Sequence, residues 1–232
     1  MIIFSTQNFI LLIAALVNLF MTFFVFRRGI KNKINLYFSL LTFFNFTWSL
    51  GLLISRSISD INLVGLFARS TYVSALAIVI SLFYFVHHFP YQIEKLKKSY
   101  HFLILLMAII LSFFIYTKGF ITETVRAYSN YEYISYYNEA GFFLYAVYFV
   151  IVAVWALCKL FRKYKLAEGV VKQQIKMLLF AIIIGLAFGS YFDLFIEYFN
   201  DYRFDWLGPI FTVLMNFIVV FFVISPKEKI SN

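Results

Sequence analysis

Two carboxylates four residues apart, Asp193 and Glu197, stand in the stretch YFDLFIEYF (191–199), which is otherwise apolar and aromatic. Acidic side chains in such surroundings can do one of three things. They can close an ion pair, form the floor of a ligand pocket, or coordinate a cation or proton. The chain offers one cation in a comparable setting, Arg69. Tyrosines crowd a further stretch, KGFITETVRAYSNYEYISYYNEA (118–140), where Tyr131, Tyr133, Tyr136 and Tyr137 are candidates for a lid over a ligand. The plainer use of a tyrosine there is as an interfacial anchor, because its ring is apolar and its tip polar.

These residues must be positioned by apolar helices. Of the 232 residues, 63% are hydrophobic and 13% charged, too few charges for the surface of a soluble domain, where about a quarter of residues carry one. Apolar runs near the 20 residues needed to cross a bilayer recur along the chain. The sequence therefore reads as an all-α membrane protein, one seven-transmembrane helix bundle over 1–232. The spacing of runs and breakers predicts helices at Thr6–Phe26, Ile34–Ile54, Asn62–Phe89, Tyr100–Thr117, Gly141–Phe161, Met177–Phe199 and Leu207–Ile224. Arg27 and Arg28 follow the first span and no basic residue precedes it, so it reads as a retained span rather than a cleaved leader.

Charge sets the expected orientation. Fifteen of the 20 Lys and Arg fall in 27–33, 91–99, 159–176 and 225–232, all on one side of the seven spans. The positive-inside rule places that side in the cytoplasm, with the N-terminus outside and the C-terminus inside, in the plasma membrane. The net charge of +9 is then a topology signal and not a nucleic-acid footprint; the bilayer is the expected partner. At 1.5 Å per residue, Asp193 and Arg69 lie roughly 9 and 10 Å below the outer face. Equal depth predicts an ion pair between spans three and six, either a structural register device or the floor of a pocket. Arg69→Ala and Asp193→Ala are then expected to behave alike. Glu197, one turn nearer the surface, would reach water, Arg56, Arg126 or Arg203. Gly185, Gly189, Asp193 and Glu197 recur at i, i+4 and so share a face, with small residues permitting close helix approach.

Spans two and three carry a resemblance. NKINLYFSLLTFFNFTWSLGLLI (32–54) places Asn35, Phe38, Trp48 and Gly51 along one helix, and RSTYVSALAIVISLFYFVHHFP (69–90) runs from an Arg and Tyr to a closing Phe-Pro. Tyr145 and Tyr148, KQQIK (172–176) and the turn LGP (207–209) agree with it. The chain resembles the N-terminal seven-transmembrane sensor region found ahead of bacterial histidine kinases. The resemblance implies a receptor-like sensor that passes an extracellular or intramembrane signal to a histidine kinase or other cytoplasmic partner, usually as a homodimer. It departs from the family pattern after Ile224, where eight residues follow with no phosphoacceptor helix or Gly-rich nucleotide segment. These residues are expected to have no enzymatic activity of their own.

Other chemistries find no footing. The single cysteine, Cys158, excludes an intramolecular disulfide and reads as a small apolar filler. His87, His88 and His101 lack the spacing of a zinc motif. Span seven has no lysine for a retinal adduct, and no catalytic constellation, metal site or cofactor is expected. Asn18, Asn45 and Asn216 read as interhelical hydrogen-bonding groups. The rival reading is a small seven-helix transporter with a midplane substrate site; spans 1–3 and 5–7 show no internal similarity in its favour.

Overall fold

In the computed structural model the described residues are 5–126, 133–199, 201 and 203–224. The helices are α1 (Thr6–Phe26), α2 (Lys33–Ser57), α3 (Ile61–His88), α4 (Lys98–Ile115), α5 (Glu139–Leu166), α6 (Gly169–Ser190) and α7 (Leu207–Ile218). Two π-helical segments extend α6 and α7, at Tyr191–Ile196 and Val219–Ile224. Six of the helices are long and apolar enough to cross a membrane, and α7 is shorter. Two strands, β1 (Ile121–Arg126) and β2 (Tyr133–Tyr137), pair as an antiparallel hairpin between α4 and α5. The hairpin is absent from the helix-only expectation. Over Tyr133–Tyr136 the residues run buried, half-buried, buried and exposed, the period-2 signal of a strand, which the close-set tyrosines had masked as an interfacial cluster.

Local chemistry explains where the helices begin. Ser5 Oγ accepts from Asn8 N, Asn32 Oδ1 from Ile34 N, Asp60 Oδ1 from Asn62 N and Leu63 N, and Asn138 Oδ1 from Gly141 N. Each satisfies a donor that the first turn leaves open. α5 and α6 both run further into the basic loop than the apolar runs imply. Charged residues past Phe161 and before Met177 are good helix formers, and propensity carries the helix beyond the apolar stretch.

α2 packs along both α1 and α3, α5 packs on α3, and α6 packs on α7, which also touches α1. α2 and α3 approach closely at Gly51, where a Cβ would meet Thr71 Cγ2 at 3.0 Å. Short polar links join the helices inside the apolar core: Thr22 to Thr42 at 2.9 Å, Thr47 to Ser74 at 3.1 Å, and Asn216 Nδ2 to Asn18 Oδ1 at 2.8 Å. Such contacts are short-range glue where lipid offers no hydrogen-bonding alternative. Phe20, Phe102, Phe113 and Phe143 are largely exposed on the bundle surface, as lipid-facing side chains of a multi-pass membrane protein must be. Cys158 is also exposed, so it faces outward from the bundle and is not a filler of its interior.

At the end remote from the hairpin, Lys163 Nζ donates to the carbonyls of Val86, His87 and Phe89 at 2.7, 2.9 and 2.6 Å. These are the carbonyls that the C-terminus of α3 leaves without intrahelical donors, and a cation there opposes the helix dipole. Lys159 and Arg162 hold Glu94 at 3.1 and 3.4 Å, and the hydrogen bond from Lys159 lowers the Glu94 carboxyl below its ordinary value. Lys163→Met should therefore lower the thermal midpoint of the purified protein, by about 2 kcal/mol of stability, the scale of a charge-assisted hydrogen-bond cluster. Circular dichroism in detergent checks it; an unchanged midpoint would mean that Lys163 does not anchor α3 to α5.

Candidate functional site

A cavity of about 60 Å³ opens where α2, α3, α5, α6 and α7 converge under the hairpin. Trp48, Tyr72, Tyr145 and Phe149 supply aromatic walls, and Asp193 and Glu197 supply charge. Gly185 and Gly189 line the same space from α6. A Cβ at Gly185 would meet Met215 Sδ at 2.7 Å, so α7 approaches α6 across that glycine. Gly189 leaves more room, its nearest neighbour for a Cβ being Thr212 Cγ2 at 3.9 Å.

Asp193 sits in the π-helical segment after α6. A π turn holds an extra residue, so it re-aims the side chains around it and frequently marks functional positions. Asp193 is 9% exposed, and neither of its carboxylate oxygens has a hydrogen-bond partner. Its Oδ2 presses on Gly208 in the first turn of α7, where a Cβ would overlap it. The positive end of the α7 dipole therefore faces the carboxylate, which offsets part of its burial cost.

Glu197, 4% exposed, is the better satisfied of the two. The phenol oxygens of Tyr72 and Tyr137 both lie within hydrogen-bonding reach of its Oε2, Tyr137 at 3.2 Å, and of each other, so two phenolic protons serve three contacts. Tyr145 Oη donates to the Tyr72 carbonyl at 3.3 Å. A third carboxylate, Asp205, completes the cluster. Arg56 Nη1 donates to its Oδ1 at 2.5 Å, with the two side chains 6% and 0% exposed. Asp193, Glu197 and Asp205 lie close enough to interact electrostatically, and Arg56 acts on Glu197. Nearby, the exposed Arg203 donates to Asp201 from Nη2 at 2.7 Å and holds that carboxyl below its ordinary value.

The structure does not form the expected Arg69–Asp193 pair. Arg69 instead donates to Gly65 O at 3.2 Å and to Ile121 O at 2.9 Å, tying α3 to β1. Depth was matched but direction was not. Arg69 precedes Thr71, a cavity residue, by two positions, about 200° around the helix. The hairpin then supplies the carbonyl that satisfies the guanidinium. Glu197, expected to reach water or an arginine, is buried and meets Tyr72 and Tyr137 instead. Among the tyrosines, Tyr137 enters the site, Tyr133 packs on Val64 and Ala68 of α3, and Tyr136 is exposed. Tyr131 and the basic tail 225–232 lie outside the described residues. Asp205 was missed because it sits in a short polar loop; Trp206 beside it was the one signal that this loop folds inward.

A family model described as the N-terminal 7TM region of histidine kinase matches residues 10–226. No curated protein matches the chain.

The buried pair predicts a coupled pattern of substitutions. Arg56→Met should destabilise the bundle by about 3 kcal/mol or more, because it leaves Asp205 charged and buried. Arg56→Met combined with Asp205→Leu should recover most of that loss, whereas combining Arg56→Met with Arg69→Ala should simply add. Thermal midpoints of these three variants and of Arg69→Ala alone, each against wild type, check this. A double variant no more stable than Arg56→Met would show that the two residues are not coupled.

Proposed function

The chain belongs to the family of N-terminal 7TM regions of histidine kinases, and on that premise we propose that it is the membrane-embedded sensor module of a signal-transduction system. It resides in the plasma membrane with its N-terminus outside, so that the hairpin end faces out and the basic loops face the cytoplasm. The observation that carries the reading is the cavity at the hairpin end, floored by Asp193 with two unpartnered oxygens. A purely structural bundle gains nothing from an unsatisfied buried carboxylate, whose cost is of the order of several kcal/mol.

The fold offers a route from this site to the cytoplasmic side. α3 and α5 are tied at one end through Tyr145 and the Tyr72 carbonyl, and at the other through Lys163. α6 and α7 flank the cavity and each runs into a π-helical segment. A signal that changes how Asp193 sits against Gly208 shifts α6 and α7 against the fixed pair. The displaced ends of these helices then act on a histidine kinase or another cytoplasmic partner. The basic loop between α5 and α6 can dock an acidic partner or anionic lipid.

The test compares transcript profiles of a gene-deletion strain restored with wild type, Asp193→Asn or Gly208→Ala, at matched membrane abundance. Restoration by wild type alone, with each variant fixed in one output state, is the expected result. If deletion and both variants leave the profile unchanged, the sensor reading fails. Solute flux in vesicles abolished by Asp193→Asn would then assign the chain to transport.

A further inference from the structure

We propose that the cavity at Asp193 is a binding site for a compact primary ammonium, an alkylamine of one or two carbons in its protonated form. Charge balance comes first. Three carboxylates, Asp193, Glu197 and Asp205, share the cluster, and Arg56 is the guanidinium paired within it, through Asp205. The phenols of Tyr72 and Tyr137 meet Oε2 of Glu197 and add no positive charge there. Asp193 is more than nine-tenths buried, lines the cavity, and has acceptor capacity on both oxygens with no donor. The described residues leave Asp193 without a donor, and a donor that is also a cation would offset the charge of a carboxylate held out of water.

The walls narrow the class. Trp48, Tyr72, Tyr145 and Phe149 surround the cavity, and aromatic faces attract ammonium groups through their quadrupoles, most strongly when water is excluded. A divalent metal is a poor match, since calcium takes six to eight oxygen ligands and magnesium six. Among the described residues no three His, Cys, Asp or Glu side chains converge as a metal's ligand set would. A guanidinium is planar and asks for two parallel carboxylate contacts, whereas an –NH₃⁺ head is a compact charge with three rotatable donors. Volume sets the tail. An apolar cavity of roughly 150 Å³ accommodates benzene, so the space of about 60 Å³ here holds only a few heavy atoms. The short alkyl part would lie along Ala75 and Leu186, which also line the cavity.

The proposal rests on the sensor reading for its meaning in the cell, but its test reads binding on the purified protein, so either can fail alone. The 232-residue chain in phosphatidylcholine nanodiscs is titrated with methylammonium, ethylammonium and hexylammonium, with ethanol, acetate, Na⁺ and Ca²⁺ as comparisons. Binding is followed by calorimetry and by the rise in thermal midpoint that any ligand of the folded state produces. Methylammonium and ethylammonium are expected to bind saturably and hexylammonium weakly. Asp193→Asn is expected to lower the affinity about tenfold or more, the scale of one charge-assisted contact. Gly189→Val, which places methyl groups in the open part of the cavity while keeping both carboxylates, is expected to reject ethylammonium before methylammonium. That variant decides the matter should Asp193→Asn fail to fold. The proposal is overturned by no saturable amine binding, by equal effects from ethanol or acetate, by binding that Gly189→Val leaves intact, or by a preference for Na⁺ or Ca²⁺.

Discussion

A charge removed from water inside a bundle of apolar helices must be compensated by its neighbours, and in this protein that requirement organises an entire end of the molecule. Asp205 is fully buried with Arg56 against it. Glu197 draws in one tyrosine from α3 and another from the hairpin. Asp193 draws in the positive end of α7. The first two solutions bring together elements far apart in sequence, α2 with the loop before α7 and the hairpin with the helix after α6, and the third fixes the consecutive helices α6 and α7 against each other. The apolar packing elsewhere has no such directionality, because between lipid and a leucine surface there is little free energy to choose. The polar cluster is what gives the helices a specific register at this end.

The three compensations differ in strength, and the difference has a structural cause. A guanidinium and two phenols are directional donors. A helix terminus is a diffuse dipole, and the donors nearest it in α7 are reduced because Pro209 carries no N–H. Gly208 is needed for the carboxylate to approach at all, since any side chain there would occupy the position of Oδ2. The π-helical segment brings Asp193 to this place by widening the helix by one residue. The least satisfied of the carboxylates thus sits on the most irregular backbone, next to the closest glycine contact and beside the cavity.

Much of the architecture was readable from residues alone, because in a membrane protein hydrophobic length is nearly a structural measurement. Seven apolar runs gave seven helices, and Asn18 and Asn216, read as interhelical hydrogen-bonding groups, meet between α1 and α7. The site was legible only in part. Asp193 and Glu197 stood out because a carboxylate in an apolar run has to be explained. Their partners did not, for a geometric reason: sequence position gives depth along a helix and says little about azimuth against helices whose packing is unknown. Arg69 matched Asp193 in depth and turned to the hairpin. Arg56 and Asp205, 149 residues apart, could be matched only once α2 and the loop before α7 were seen to meet. The hairpin was hidden because its tyrosines are equally good strand formers and interfacial anchors.

The remaining connection runs from the site to the opposite end of the bundle. Tyr72 binds Glu197 by its hydroxyl, while its carbonyl receives Tyr145 of α5. α3 and α5 are therefore joined near the cavity, and Lys163 joins them again at the far end by capping the last carbonyls of α3. Two attachments about 27 Å apart along α5, at 1.5 Å per residue, restrain these helices from tilting against each other. α6 and α7 have no equivalent second clamp among the described residues. Between them lie glycines, a cavity and a carboxylate without a donor. A packed bundle moves by discrete repacking more readily than by uniform deformation, and the place where repacking costs least is where contacts are already incomplete. In the proposed mechanism, a movement that begins at Asp193 is for this reason one of α6 and α7 relative to the α3–α5 frame, and these helices carry it toward the opposite end of the bundle.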